Sequence, residues 1–194
     1  MEQTELQQLK EHCASSKLIF DGTVLHVYLD DIILPNGAHG IREYIKHIGA
    51  VAVLPLCDNG DVLCVRQYRY AVGDILTEIP AGKLDSRDED HREAALRELR
   101  EETGAVPARL TYLGCYLGSP ALLDEKIDLF LAEGLTLGKT DFDDDEFIDI
   151  VRIPLAQLVD DALENRLPDG KTQLAVLKVQ ELLRRRAAEQ EICK

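Results

Sequence analysis

The sequence predicts an α/β fold, an α/β/α sandwich built on a mixed sheet and preceded by a small N-terminal antiparallel sheet. Three observations predict it. Residues 17–46 carry short alternating apolar runs separated by turn signals. Ala50–Leu56 is an almost unbroken apolar run, as expected of a strand covered on both faces. Between residues 85 and 104 a charged helical segment is bounded by capping residues and a terminating glycine.

Taken in order, the N-terminal runs are residues 18–20, 23–30, 32–34 and 41–46, broken at Asp21-Gly22 and Pro35-Asn36-Gly37, which read as hairpin turns. His26 and His47 lie in or beside these strands and read as packed or hydrogen-bonded histidines. Residues 1–47 are therefore assigned to a strand-rich segment and 48–194 to the main domain. That domain opens with Ala50–Leu56, turns at Asp58-Asn59-Gly60 and returns over residues 62–68. A short strand over 76–79 runs into Pro80-Ala81-Gly82. The helix that follows has Asp85, Ser86 and Asp88 as candidate caps and Gly104 as its stop. Further strands are expected at 110–117, 126–132 and 148–153, and a helix at 155–165. A last helix over about 172–188 has Leu174, Leu177, Val179 and Leu182 on its apolar side. Its closing Arg184-Arg185-Arg186 complements the helix macrodipole.

Composition narrows the function classes. A chain of 194 residues with 45% hydrophobic content can bury a full-sized core. Twenty-two Lys and Arg against 36 Asp and Glu give a net charge of −14, which argues against nucleic acid or an anionic membrane as the main partner. An anionic small substrate remains compatible, because bound metal ions neutralise charge locally. The five cysteines show no zinc-type spacing, and their odd number reads as reduced thiols, hence a cytoplasmic setting. The polar, acidic N-terminus is unlike a signal peptide, and no apolar run approaches membrane-spanning length.

The stretch Gly82 to Gly104 carries the chemistry. At about 100° per residue, Glu98, Glu101 and Glu102 fall within an arc of roughly 100° on one side of the helix, away from Leu96, Leu99 and Thr103. Like charges at this spacing destabilise a helix by a few tenths of a kcal/mol, and hard cations such as Mg²⁺ or Mn²⁺ are the natural counter-charge. Carboxylate-bound metal beside a glycine-bounded loop suggests phosphate chemistry.

This stretch resembles the Nudix box. Glu89, then seven residues, then Arg97-Glu98-Leu99-Arg100-Glu101-Glu102-Thr103-Gly104 keeps the right-hand part of that pattern. On the left, six residues instead of five separate Gly82 from Glu89, so either the preceding loop has one extra residue or Asp88 replaces the glutamate with altered spacing to Arg97. Glu89 is preferred, since a loop absorbs an insertion and a helix does not. The final aliphatic of the pattern is Ala105. Upstream, Val65-Arg66-Gln67-Tyr68-Arg69-Tyr70 with Glu78-Ile79-Pro80-Ala81-Gly82 resembles the ADP-ribose and nucleoside-diphosphate-sugar pyrophosphatase branch. Downstream, Gly118-Ser119-Pro120-Ala121-Leu122-Leu123-Asp124-Glu125 resembles that branch's Ser-Pro-Gly loop, with Ala121 in place of the glycine. Ile48 likewise stands where the branch commonly has proline.

The resemblance implies metal-dependent hydrolysis of a nucleotide-sugar diphosphate, with Mg²⁺, or Mn²⁺, as cofactor. It implies Glu98, Glu102 and the backbone carbonyl of Ala81 as metal ligands, Glu101 as a ligand or a residue behind the ligands, and Arg97 as the group that orients the box carboxylates. The general base is sought in the acidic run 141–146, with Asp143 as base and Asp145 or Glu146 as an added metal ligand; Glu125 is the rival base. Arg66 and Arg69, three apart on an extended strand, point to opposite faces, so one at most reaches the diphosphate, and Arg69 is chosen. Glu78 is assigned to the nucleobase or ribose, and Ser119 to the substrate loop. The N-terminal sheet is expected to exchange across a two-fold axis and build a homodimer. Rival readings are a Nudix hydrolase of a modified nucleotide or a dinucleoside polyphosphate, and a non-catalytic module that binds a nucleotide sugar.

Overall fold

The computed structural model describes residues 7–142 and 147–192. Two compact units divide the chain, the first taking residues up to His47 together with Ser119–Glu125, the second taking Ile48–Gly118 and residues from Lys126 onward.

In the first unit, β1 (His12–Asp21), β2 (His26–Ile33) and β3 (His39–Lys46) form an antiparallel meander. Both turns fall where the turn residues stand: Gly22 N donates to Leu25 O at 2.9 Å, and Leu34 N donates to Ala38 O at 2.8 Å, with Gly37 at φ 83°. β1 begins six residues before the apolar run at 18–20, because polar His12 to Ser16 gain their ladder partners from β2. β2 likewise runs unbroken through Asp30-Asp31. Tyr28 and Tyr44 stack across the ladder at 5.7 Å, with the Lys46 ammonium 3.9 Å from the Tyr28 ring centroid. Residues 119–125 join this unit: Ile45 N donates to Leu122 O at 2.8 Å, and His47 N donates to the Asp124 carboxylate at 2.6 Å.

The second unit is built on a seven-stranded mixed sheet. Its strands are β4 (Ala50–Leu56), β5 (Asp61–Arg69), β6 (Asp74–Glu78), β7 (Ala81–Lys83), β8 (Ala105–Tyr116), β9 (Ile127–Leu137) and β10 (Asp149–Pro154). The order is β10-β5-β4-β9-β8, with β6 paired to β5 and β7 to β4. β4 and β9 run parallel and the other neighbours antiparallel. Helix α1 (His91–Thr103) covers one face through Ala94, Ala95 and Leu99 against Val51, Val53 and Leu63. Helices α2 (Leu155–Leu163) and α3 (Gly170–Ile192) cover the other, where Leu158, Val176 and Val179 meet Ala52, Leu54 and Val62. Alternate residues of β4 thus feed two cores, which is why its sequence is apolar almost throughout.

Three expected details are corrected. The α1 cap is Asp90, whose carboxylate accepts from Arg92 N at 2.8 Å and Glu93 N at 3.1 Å, because Asp85, Ser86 and Asp88 belong to the loop before it. Helix α2 stops at Leu163 and Asn165 takes φ 58°, a left-handed conformation that cannot continue a helix. On α3 Ala175, Val176 and Val179 are buried and Leu174 and Leu182 pack against the same core, whereas Leu177 is 37% exposed.

Candidate active site

Helix α1 places the box charges along one side, and Arg97 binds them together. Its Nη1 donates to Glu98 Oε1 at 2.8 Å and Glu101 Oε2 at 3.2 Å, its Nε reaches Glu89 Oε1 at 3.3 Å, and its Nη2 reaches Lys83 O at 3.3 Å. Burial disfavours its charge, but Glu98, then Asp85 and Glu89, outweigh burial and raise the guanidinium pKa. Glu89 also accepts from Asp85 N at 2.6 Å, closing the loop that carries the extra residue. Asp88 makes no comparable contact to Arg97, so the six-residue spacing is absorbed before the helix.

Gly82 leaves room for this packing. A Cβ added there would fall 2.1 Å from the Glu98 carboxyl group, so any other residue would push that carboxylate aside. Glu102 is 4% exposed and accepts from Ala81 N at 3.2 Å, which ties the Ala81-Gly82 turn to the helix. Glu101 and Glu102 lie in the last turn, where the macrodipole is negative and Arg100 is the basic residue. Their charges oppose the macrodipole there, and Glu101 is met by Arg97 at 3.2 Å and Arg100 at 3.6 Å. Among the described residues, no three His, Cys, Asp or Glu side chains converge as a ready ligand set. Oxygen donors of Glu98 and Glu102, with the nearby Ala81 carbonyl, suit a hard divalent cation, and the Gly82 cradle leaves Glu98 its place.

The helix ends at Gly104 with φ 70°, its N–H donating to Arg100 O at 2.8 Å. Gly138 N then donates to Gly104 O at 2.7 Å, and Asp141 N to Glu101 O at 2.9 Å. These bonds lead the chain from β9 past the end of α1 as far as Asp141. Asp143, Asp145 and Glu146 lie outside the described residues. Beside this end of α1 a groove of about 490 Å³ is lined by Leu63, Thr103, Leu137, Lys139 and Arg152, among others.

A second charge cluster sits at the end of β6. Glu78 is 2% exposed, and its two carboxylate oxygens accept from Arg69 Nε at 2.7 Å and Nη2 at 2.8 Å. Lys171 also donates to Glu78 Oε2, and to Asp169 Oδ1 at 3.0 Å. Burial alone would raise the Glu78 pKa, but the Arg69 hydrogen bonds and the Lys171 charge hold it down to about 2. Glu78, expected at the base or ribose, therefore turns inward with both oxygens engaged. Arg69 keeps a side chain 40% exposed. Arg66 points elsewhere on β5 and lies 3.9 Å from Asp149.

Ser119 and Glu125 belong to the other unit. Ser119 O accepts from Leu122 N at 3.0 Å and Leu123 N at 2.9 Å, and the Glu125 carboxylate is 3.4 Å from His47 Nδ1. Two side-chain contacts near the site escaped sequence reasoning. His91 Nδ1 lies 2.5 Å from Asp128, which also accepts from the Tyr112 hydroxyl at 3.0 Å, a staple between the start of α1 and the sheet. Lys171 is the other. A lysine in the first turn of a helix opposes the macrodipole, and that was the available signal that it needs acidic partners.

Residues 46–176 match the NUDIX domain family. The chain belongs to the Nudix family. The matched range includes the Gly82–Gly104 stretch and helix α1. The chain is 37% identical over 177 residues to an ADP-ribose pyrophosphatase of Bacillus subtilis strain 168, covering 90% of this chain and 95% of the relative. It is 38% identical over 179 residues to a methanol dehydrogenase activator of Bacillus methanolicus, covering 90% and 96%. A crystal structure of an ADP compounds hydrolase superposes with a TM-score of 0.77 at 24% identity, covering 91% of this chain and 96% of that one, which shows the shared fold. The mixed α/β architecture expected of the family is the one observed.

Proposed function

We propose that this Nudix hydrolase cleaves the diphosphate of ADP-ribose, or of a closely related nucleotide sugar, into a nucleoside monophosphate and a sugar phosphate. The observation that carries the reading is the crowding of carboxylates on and beside α1: Arg97 is shared among Glu89, Glu98 and Glu101, with Arg100 also 3.6 Å from Glu101, beside a glycine that makes room for Glu98. Similarity to an ADP-ribose pyrophosphatase over nearly its whole length supports the substrate class. Bound by Glu98, Glu102 and the Ala81 carbonyl, with Glu101 adjacent, Mg²⁺ or Mn²⁺ would supply charge neutralisation for the diphosphate and acidify a water.

The chain's own groups do the rest. Arg97 orients the box carboxylates through its hydrogen bonds. Arg69 offers the N–H groups that Glu78 does not use to phosphate oxygens, a match of fork to oxyanion. A carboxylate takes the proton of the attacking water as the new P–O bond forms and the bridging P–O bond breaks. Asp143 is assigned that role, with Glu125 as the alternative, and Asp145 or Glu146 as a further ligand. Ser119 lies on the loop assigned to the substrate. Free Cys13, Cys57, Cys64 and Cys115 support a reducing, cytoplasmic setting. Exposed Leu18, Ile19, Phe20 and Ile41 on the N-terminal sheet support a homodimer formed through it.

The test is chromatography of products after incubation with Mg²⁺ and a panel of ADP-ribose, ADP-glucose, GDP-mannose, a diadenosine polyphosphate and a nucleoside triphosphate. AMP with ribose 5-phosphate from ADP-ribose is expected. Cleavage of another member instead moves the substrate and keeps the chemistry. Silence with both Mg²⁺ and Mn²⁺ overturns the proposal in favour of a binding module.

A further inference from the structure

The cluster of Arg69, Glu78, Asp169 and Lys171 is more elaborate than burial requires. Lys171 is 9% exposed, lies in the first turn of α3 against the macrodipole, and is paired with two carboxylates. Ion clusters of this kind are often no more stabilising than apolar residues of similar volume, so stability alone does not account for four charged groups here. The cluster also reaches the backbone. Thr172 Oγ1 accepts from Ile79 N at 2.9 Å and donates to Asp169 Oδ2 at 2.5 Å, while Thr172 N donates to the same oxygen at 3.0 Å. The start of α3 therefore grips both the side chain of Glu78 and the strand end that leads into Pro80-Ala81-Gly82. Gly170 seats that start closely, since a Cβ there would fall 2.6 Å from the Tyr116 hydroxyl.

Arg69 is the outward member. Glu78 occupies Nε–H and one Nη2–H, so three of the five guanidinium N–H groups remain for an external acceptor. Arg69 also feels the charge of Glu102 on the box helix, which places the two within electrostatic reach of each other.

We propose that Lys171 is a positioning residue for substrate binding: by anchoring Glu78 it holds the Arg69 fork in the orientation that receives the diphosphate of a nucleotide sugar. Lys171 touches no substrate itself and acts through Glu78. The inference rests on the proposed nucleotide-sugar hydrolysis and adds to it a residue 93 positions from Glu78 in sequence.

The experiment is steady-state hydrolysis of ADP-ribose with Mg²⁺ by the full chain and its variants, with thermal melts as a folding control. Lys171→Met is expected to raise KM by about tenfold or more with kcat within about threefold, the pattern of lost ground-state binding. Lys171→Arg, which keeps the charge, is expected to hold KM within about threefold of wild type. Adding Lys171→Met to Glu78→Gln should raise KM no further, because the anchor is already gone. That pair of variants carries the test if Lys171→Met alone does not fold, since it leaves no buried unpaired charge. A wild-type KM in folded Lys171→Met overturns the inference, and so does a multiplied KM in the double variant. A wild-type protein that leaves every nucleotide sugar intact overturns the functional reading and the inference with it. Normal ADP-ribose turnover with unmoved variants overturns the inference alone.

Discussion

The two charge clusters of the second unit are built on opposite rules. On α1, Arg97 is shared among Glu89, Glu98 and Glu101, with Asp85 at 3.5 Å, and Arg100 lies 3.6 Å from Glu101, so four carboxylates face two guanidinium groups and negative charge exceeds positive. At the start of α3, two cations, Arg69 and Lys171, face two carboxylates, Glu78 and Asp169, and the charges cancel. The first cluster borders solvent and is short of positive charge, which is the state of a site that takes cations. The second is balanced and mostly buried, with Arg69 as its partly exposed member, which is the state of a support. An acidic group is thus not informative by its type; the balance of charge around it distinguishes a ligand from a strut.

Breaking the deficient cluster should abolish chemistry and spare the fold. Glu102→Gln is expected to lower kcat on ADP-ribose by on the order of a hundredfold or more while the melting temperature stays near wild type. Unchanged turnover would remove Glu102 from the metal site. Breaking the balanced cluster should do the reverse to stability. Lys171→Met leaves Glu78 short of a partner in the interior, and urea titration is expected to show a loss of roughly 3–5 kcal/mol, against little for Glu102→Gln.

A pH titration sharpens the contrast. Glu78 has its pKa held to about 2, below the unfolded carboxyl value, so the unfolded chain binds more protons across that interval. Its contribution is fully present above about pH 5 and is lost as the pH falls toward 2. Stability measured by denaturant from pH 6 to pH 2.5 should therefore fall less steeply in Glu78→Gln than in wild type; identical slopes would contradict the ionised, paired Glu78. The smallest effect is expected outside both clusters, at the staple on Asp128. Tyr112→Phe removes one hydrogen bond at a partly exposed carboxylate and should cost about 0.5–1.5 kcal/mol in the same titration, with kcat unchanged.

Much of the site was legible from spacing because a helix is a local object. Glu98, Glu101 and Glu102 share a side by the 3.6-residue period, and Arg97 reaches Glu101 one turn on, so the box could be laid out before any tertiary contact was known. Preference for Glu89 over Asp88 also followed from local geometry, and Glu89 is the residue that meets Arg97. The apolar run of β4 announced a strand with two covered faces, and the turns at Gly22 and Gly37 were readable from residue type.

Other features depended on partners far away in the chain. Strand β1 reaches back to His12 because β2 supplies its ladder, not because its own residues favour a strand. Glu78 reads as an open carboxylate until α3 brings Lys171 against it. The segment 119–125 joins β3 through Ile45 and His47, contacts that its own sequence does not encode. The sequence by itself determined the box helix and the strands of the mixed sheet, since these follow from periodicities of two and 3.6 residues, and it pointed to the family through its resemblance to the Nudix box. Only the tertiary structure decided which carboxylates are balanced and which are left short of positive charge, because that balance is set by groups packed together from distant parts of the chain.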